Sequence, residues 1–427
     1  MIKILHLSDI HIGSGFSHGR INPETGLNTR LEDFISSLKL CIDRAIFEPV
    51  DLVLFGGDAF PDATPAPYIK QAFASELRRL VDAQIPIVLL VGNHDQHSQG
   101  QGGASLGIYR TLGIPRVVVG DRLETHKIQT QNGFIQIITL PWLTASSLMT
   151  KSESEGKSMS QVNESLIDKL RLILESEIRK LTPEIPTVLL GHLMADRANL
   201  GAERFLAVGK GFNIPVSLLN RPCFDYVALG HVHKHQNLNK SNNPPIIYPG
   251  SIERVDFSEE KEEKGFVLVE LEKGKAKWEF CALPVRNFKT IKVNVSEAEN
   301  PQAELLKAIS KYQIENAVIR LIYQLRSEQL DLIDNGVLHQ ALSKAHTYTI
   351  QPELVSQLAR PRLPELSTGN SIDPLQALKT YLESREDIQD IQEEMLEAAD
   401  KLLLGRADLS KENSNGQLNL FTSSGAK

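Results

Sequence analysis

Cysteine is scarce in this chain: three residues in 427, Cys41, Cys223 and Cys281, with no paired spacing. That excludes a disulfide scaffold and a zinc knuckle and points to a reducing compartment. No apolar run approaches the ~18 residues of a membrane span, so no membrane association is expected. Residues 1–9 carry one lysine and a short apolar stretch that leads into a charged motif, and they lack a cleavage signature. A signal peptide is therefore not expected. Positive charge is not in excess either: 46 Lys and Arg stand against 53 Asp and Glu, a net charge of −7. This excludes a strongly basic coat for nucleic acid. It does not exclude a nucleic-acid enzyme, which needs only one basic groove and whose catalytic carboxylates count against the total. There is no internal repeat.

The remaining composition, 41% apolar and 23% charged, is that of an ordinary globular protein. At roughly 150 residues per domain the length allows two or three domains with full cores. Short apolar runs at 3–7, 51–55 and 86–91 read as strands and alternate with helical patterns at 31–47 and 68–82. This rhythm predicts an α/β fold with a mostly parallel sheet. Further strands are expected at 135–140, 187–190, 226–229, 246–248 and 266–271; the last few lack intervening helices and predict a second, more antiparallel sheet. Residues 146–165 read as a surface loop before a helix at 166–181. After Pro284 the pattern is strand 288–295, helix 302–312, strand 317–325, helix 329–345 and strand 347–350, a small α/β domain of its own. Residues 360–373 hold Pro361, Pro364 and Gly369 and read as a linker. A helical segment follows at 374–404, with Asp373 as N-cap, Pro374 in the first turn and Gly405 as the stop.

Five short motifs each follow an apolar strand: Asp9-Ile10-His11, Gly57-Asp58, Gly92-Asn93-His94-Asp95, Gly191-His192 and Gly230-His231-Val232-His233. Taken singly, Asp-x-His, Gly-Asp and Gly-His are ordinary turn chemistry. Gly-Asn-His-Asp asks for more, since a plain turn needs no histidine, and Gly-His-Val-His sets alternate histidines on one face as a chelating pair. Ligands in α/β sheets sit at the carboxyl ends of strands, and all five motifs fall at such an end. Asp, Asn and His supply oxygen and imidazole ligands suited to Mn²⁺, Fe²⁺ or Zn²⁺. Eight candidates, Asp9, His11, Asp58, Asn93, His94, His192, His231 and His233, exceed what one ion needs. Two ions ~3.5–4 Å apart can share a carboxylate and clamp an in-line displacement at phosphorus, with water as the nucleophile.

This set resembles the signature of the calcineurin-like metallophosphoesterases, D-x-H, GD, GNHD/E, H and GHxH, over residues 1 to about 285. Residues 19–28, 248–254 and 257–265 are further similar to the Mre-type nucleases of that family, which work with an SbcC-type ATPase. The resemblance implies an α/β fold: a β-sandwich flanked by helices, a small α/β capping domain and a C-terminal helical tail. It implies a nuclease domain at 1–285, a DNA-capping domain at 286–359, the linker at 360–373, an ATPase-binding segment at 374–405 and a disordered tail at 406–427. Two divalent ions are implied, Mn²⁺ foremost and Mg²⁺ as the alternative. Asp9, His11 and His233 would hold one ion, Asn93, His192 and His231 the other, and Asp58 would bridge them. His94 would stand outside the metals as transition-state stabiliser or proton donor, and Asp95 would orient it. Many relatives carry Asp or His three positions after the bridging aspartate. Here that position is Pro61, followed by Asp62, which leaves cleavage polarity and strand choice open.

The implied activity is phosphodiester hydrolysis at DNA ends, hairpins and single strands, in repair, recombination and replication. The implied setting is the bacterial cytoplasm, at the nucleoid, as a homodimer formed through core helices such as 68–82. A phosphoesterase for small nucleotides or phosphoproteins is the alternative, and an inert scaffold for the ATPase a third reading. The mass after Pro284 argues against the first of these, and intact Asp58, Asn93 and His94 against the second. Arg20, Arg30, Lys210, Lys234, His235 and Arg254 lie near the motifs and are candidate phosphate contacts or plain surface charges. His6 is expected to be a core histidine, and His18, His97 and His126 surface residues. The acidic run 258–264 reads as an exposed turn. Eight acidic against three basic residues on the polar face of 374–404 suit a protein partner rather than DNA. In the tail, Gln417-Leu418-Asn419-Leu420-Phe421 resembles the QLxLF peptide that binds the bacterial sliding clamp.

Overall fold

The apolar runs of the first third of the chain become parallel strands buried on both faces. In the computed structural model β1 (Ile2–Leu7), β2 (Leu52–Phe55), β3 (Ile87–Leu90) and β4 (Val117–Gly120) lie side by side. The structure describes the chain except residues 98–102, 151–152, 154, 157, 200–212, 242, 356–373, 384–390 and 401–427. A second sheet contains β5 (Glu124–Thr130), β6 (Gly133–Leu140) and β7 (Thr187–His192). β8 (Met194–Ala195) and β9 (Asn213–Ile214) form a separate ribbon. β10 (Tyr226–Gly230), β11 (Gln236–Asn237) and β12 (Ile246–Tyr248) complete the second sheet, in the order β11-β12-β10-β7-β6-β5. β13 (Gly265–Glu272) and β14 (Lys275–Ala282) return to the first sheet, ordered β14-β13-β1-β2-β3-β4.

The two sheets pack face to face. Ile2, Ile4, Leu52, Leu54, Val88 and Leu90 meet Ile135, Ile137, Val188, Leu190, Tyr226 and Ala228 in the core between them. Side chains alternate along a strand, so the intervening residues face outward, and there they are covered too. Leu5, Leu7, Val53, Phe55 and Leu89 lie beneath helices α1 (Thr29–Phe47) and α2 (Pro67–Asp82). Leu140, Leu189, Val227 and Leu229 pack on Leu170 and Leu174 of the helix Met159–Ile178. Burial on both faces is why these strands read as unbroken apolar runs. α1 starts at Asn28, whose side chain accepts from the Arg30 N–H.

Several expectations need correction. The second sheet is parallel at its centre, through β6, β7, β10 and β12, and only its edges are antiparallel. The strand expected at 266–271 joins the first sheet instead, antiparallel to β1. Residues 159–165, expected in a loop, are helical: Ser158 and Gln161 form a capping box that starts the helix Met159–Ile178. The helix expected at 329–345 is a 3₁₀ turn, Ser327–Leu332, followed by Asn335–Ala341. It is interrupted at Asp334, which caps the second piece by accepting from the Gly336 N–H.

The chain divides into two compact units, Met1–Glu353 and Leu354–Lys427. Within the first, β15 (Phe288–Asn294), β16 (Val318–Leu325) and β17 (Thr347–Leu354) form a three-stranded sheet. Ile291, Leu305, Ile309, Ile319, Leu321 and Leu338 give it a core of its own. From Pro374 on, the second unit is helical where described, at Pro374–Glu383 and 392–400. Lys210, the linker 360–373 and the segment Gln417–Phe421 lie outside the described residues. Among the described residues no helix is long and apolar enough to cross a membrane.

Candidate metal centre

Parallel strands in register bring their carboxyl ends to one edge, and the ligand-type residues stand there. Asp9 and His11 follow β1, Asp58 follows β2, Asn93 and His94 follow β3, His192 ends β7, and His231 and His233 follow β10. The chain must leave each strand sharply. Asp9, His11, Asp58 and His231 adopt φ of 51°, 48°, 58° and 101°, left-handed values that cost about 1–3 kcal/mol each. Hydrogen bonds between the turns hold them. The Asp9 N–H donates to Gly57 O at 3.0 Å and the His11 N–H to Asp58 O at 3.1 Å. The His94 N–H donates to Asp58 Oδ1 at 2.9 Å and the His231 N–H to Asp9 Oδ1 at 3.0 Å. A Cβ on Gly57 would stand 2.4 Å from His192 Nδ1, and one on Gly92 2.1 Å from Asp58 Oδ1. Only glycine permits these approaches.

The side chains converge in two buried groups, Asp9–His11–His233 and Asp58–His192–His231, with the ligand atoms of each group within 4.8 Å of one another. His11 Nε2 and His233 Nε2 lie 3.0 Å apart. Asn93 Oδ1 is 2.9 Å from both His192 Nε2 and His231 Nδ1. Asp58 Oδ2 lies between the groups, 3.3 Å from His192 Nε2 and 3.7 Å from His11 Nε2. His231 Nε2 is buried without a hydrogen-bond partner. Carboxylates, an amide oxygen and imidazole nitrogens in one largely buried cluster form a donor set that fits divalent transition ions. The resemblance of the motifs implies a dinuclear divalent site, and these residues are its candidate ligands.

Burial sets the protonation of the cluster. It pushes His11 well below its ordinary value and His231 down to about 3, so both are neutral. Burial also lowers His192, but the adjacent Asp58 carboxylate outweighs it and lifts His192 to about 9. Asp58 is pushed up by burial, yet His192 and the other imidazoles hold it well below the carboxylate range. The two form an ion pair, and a cation bound there would have to displace its proton. His192 Nδ1 meets Gly56 O at 2.7 Å, which fixes it as the protonated nitrogen and turns Nε2 into the cluster.

His94 lies edge-on to His11, with ring centroids 5.0 Å apart. The expectation that Asp95 orients it is corrected. His94 Nδ1 is held by the Pro61 carbonyl at 2.8 Å. Asp95 is buried and accepts instead from the N–H groups of Asp58 (2.9 Å), Ala59 (3.2 Å) and Gly92 (3.0 Å) and from Ser105 Oγ (3.2 Å). It ties the loops after β2 and β3 together. Asp95 looks toward backbone donors because these amides, not the ring of its neighbour, lie within its reach.

The structure also places the other singled-out side chains, some as expected and some not. Arg30 and Arg254 are buried. Arg30 donates to Asp33 and to Arg254 O, and Arg254 donates to Glu259 O, Glu262 O and Arg286 O, so neither is a surface charge or an open phosphate contact. His6 is a core histidine, bonded to Tyr226 Oη and Leu229 O. His18 is half-buried, edge-on to Phe257 and Phe288. In the acidic run, Glu259 and Lys264 are buried rather than exposed. Glu259 Oε1 accepts from His233 Nδ1 at 2.6 Å, a contact no charge pattern reveals. Trp142, its ring centroid 4.7 Å from that of His231, was not among the expected site residues. Its position just past β6 was the available signal.

The calcineurin-like phosphoesterase family model matches residues 2–235, which contain all five motifs. The chain is 24% identical over 315 residues to a protein from Staphylococcus epidermidis named as the D component of the nuclease SbcCD, covering 73% of this chain and 76% of that one. It is 25% identical over 312 residues to the protein of that name from Staphylococcus saprophyticus, covering 71% and 75%. A dimetal phosphatase structure from Danio rerio aligns at 14% identity and a TM-score of 0.39, covering 66% of this chain and 99% of that one. Because the family model spans more than half the chain, and does so over the strands that deliver the buried cluster, the chain belongs to the calcineurin-like phosphoesterases and is a metal-dependent hydrolase of phosphoester bonds.

Proposed function

We propose that the chain is a Mn²⁺-dependent DNA nuclease, with Mg²⁺ as the alternative ion, that hydrolyses phosphodiesters at DNA ends, hairpins and single strands in concert with an SbcC-type ATPase. The observation that carries the reading is the convergence of Asp9, His11, Asp58, Asn93, His192, His231 and His233 at one set of strand ends. The relatives named as components of the nuclease SbcCD support the substrate class. Asp9, His11 and His233 would hold one ion and Asn93, His192 and His231 the other, with Asp58 between them. When bound, such ions supply Lewis acidity toward a phosphoryl oxygen and lower the pKa of water. His94 has its Nδ1 taken by Pro61 O, so Nε2 is the nitrogen left to exchange a proton with the phosphate or the leaving oxygen. Asp95 positions the loops that carry Asp58 and Asn93.

The same reading assigns DNA capping to the module at 286–359, ATPase docking to 374–405, homodimer contacts to core helices and sliding-clamp binding to Gln417–Phe421, in the bacterial cytoplasm at the nucleoid. The test is a labelled DNA hairpin with Mn²⁺, with and without an SbcC-type ATPase, beside a small phosphodiester. Cleavage of the hairpin by the chain and its ATPase is expected. Turnover of the small ester with no cut in hairpin or single strand would sink the nuclease reading in favour of a small-substrate phosphoesterase.

A further inference from the structure

His233 meets His11 through Nε2, and its other ring nitrogen is engaged away from the cluster. Nδ1 lies 2.6 Å from Glu259 Oε1, in a 3₁₀ turn at Phe257–Glu259. Glu259 is only 1% exposed, so it is a buried carboxylate in need of partners. It has them. Its Oε2 accepts from the Val255 N–H at 2.9 Å and stands 3.0 Å from the Nζ of Lys264, itself buried. Lys264 Nζ also donates to the His233 carbonyl at 3.1 Å and to Glu262 at 2.8 Å. Lys264 therefore touches both the backbone of His233 and the carboxylate that holds its ring. Arg254 Nε donates to Glu259 O at 3.2 Å and fixes the turn from behind. A carboxylate accepting from one imidazole nitrogen settles the tautomer and ring direction and raises the basicity of the other nitrogen. His192 is backed by a neutral carbonyl instead.

We propose that Glu259, braced by Lys264, is the positioning residue of His233: it keeps the proton on Nδ1 and directs Nε2 at the ion shared with Asp9 and His11. This rests on reading Asp9, His11 and His233 as a ligand set. The pair offers no ligand atom to that set; it acts through His233 alone.

The test titrates Mn²⁺ into the metal-free full-length chain by calorimetry and follows the His233 ring nitrogens by ¹⁵N NMR. Glu259→Gln, which keeps an acceptor but no charge, should weaken the affected Mn²⁺ site by about tenfold, and Glu259→Ala by up to about 100-fold, the range of second-sphere substitutions. In the metal-free wild type the His233 proton should sit on Nδ1, and in Glu259→Ala it should redistribute toward Nε2. His233→Ala serves as the reference. If it empties one site while Glu259→Gln binds Mn²⁺ as tightly as wild type, the proposal is overturned and the ligand set stands. If His233→Ala itself leaves both sites intact, the ligand set is wrong and the proposal falls with it. Should Glu259→Ala fail to fold because Lys264 is left unpaired, the double variant Glu259→Gln, Lys264→Met carries the same comparison. Unchanged Mn²⁺ affinity there would overturn the proposal as well.

Discussion

Arg286 holds Asp33 with two parallel bonds, Nη2 to Oδ1 at 2.6 Å and Nε to Oδ2 at 2.7 Å, joining the module of β15–β17 to helix α1. Asp33 Oδ2 also accepts from Arg30 Nη1 at 2.6 Å. Phe257, Phe288 and Val318 form a small apolar cluster at the same junction. Asp33→Asn should lower the unfolding free energy by about 1.5–3 kcal/mol, as for hydrogen bonds to charged groups. Amide exchange in β15 and β16 should accelerate more than in β1–β3. Urea unfolding with hydrogen-exchange mass spectrometry checks this, and uniform protection in both regions would count against the link.

Metal binding and chemistry should separate in two variants. Asp58→Ala should lose Mn²⁺ and hydrolysis together, because its carboxylate lies between the two histidine groups. His94→Ala should retain Mn²⁺ and lose about 10²–10⁴-fold in rate, the usual worth of a positioned proton donor. Metal analysis beside a nuclease assay decides. An empty site in His94→Ala would show that this histidine is a ligand.

Gly57→Ala should damage the site without a change in charge. Its added methyl meets His192 Nδ1, at a φ of +99°. Mn²⁺ affinity should fall by at least about tenfold, as for other disturbances of ligand orientation. Gly113 has a φ of +58° but open space around it, so Gly113→Ala should cost only the ~1–2 kcal/mol of a left-handed backbone. Calorimetric Mn²⁺ titration of the two variants is the comparison, and equal effects would refute a steric cause.

His346 ties the small module to the core by a 2.7 Å contact between its Nε2 and Thr29 Oγ1. Burial, then the nearby Arg286, Arg20 and Arg30, outweigh Asp33 and lower it from 6.5 to about 4. The unfolded chain thus takes up this proton first. The stabilising contribution is complete above about pH 6.5 and is lost as the pH falls toward 4. Melting temperatures of wild type and His346→Gln between pH 7.5 and 4.5 should therefore converge as the medium is acidified. Parallel curves would show that His346 does not titrate in this window.

The C-terminal assignments are separable from the chemistry. A chain ending at residue 372 should keep Mn²⁺-dependent cleavage of single-stranded DNA and lose co-purification with an SbcC-type ATPase. A fluorescent peptide of residues 415–423 should bind a sliding clamp at roughly micromolar Kd, about −8 kcal/mol. Replacing Leu420 and Phe421 with Ala should abolish that binding. Undiminished co-purification, or a wild-type peptide that fails to bind, would remove the corresponding partner.

The sequence made the central strands and the ligand-type residues legible for one reason. Doubly buried strands need unbroken apolar runs, and the loops that leave them carry Asp, Asn and His types with little structural use in that pattern. Strand direction in the second sheet was less legible, because it depends on how the long connections cross and not on the composition of β10 or β12. β5 and β14 sit at sheet edges and mix polar with apolar residues, so their periodicity is weak. Glu259 was read as exposed because a carboxylate at a turn usually is. Its burial depends on Lys264 and His233 arriving together, which is a tertiary fact. The Asp95 assignment failed for a related reason: adjacency in sequence to His94 said nothing about which amides would face its carboxylate.

Each half of the buried cluster draws on both sheets: Asp9 and His11 leave one sheet and His233 the other, and the same holds for Asp58 against His192 and His231. The candidate metal centre therefore lies at the seam of the sandwich. Neither sheet holds a complete set of the candidate ligands, so the cluster exists only once the two have docked. An ion held by those residues would stitch the halves of the fold across that seam. A change that slides one sheet against the other by a fraction of an ångström would reach the chemistry directly, however far from the pocket it was made.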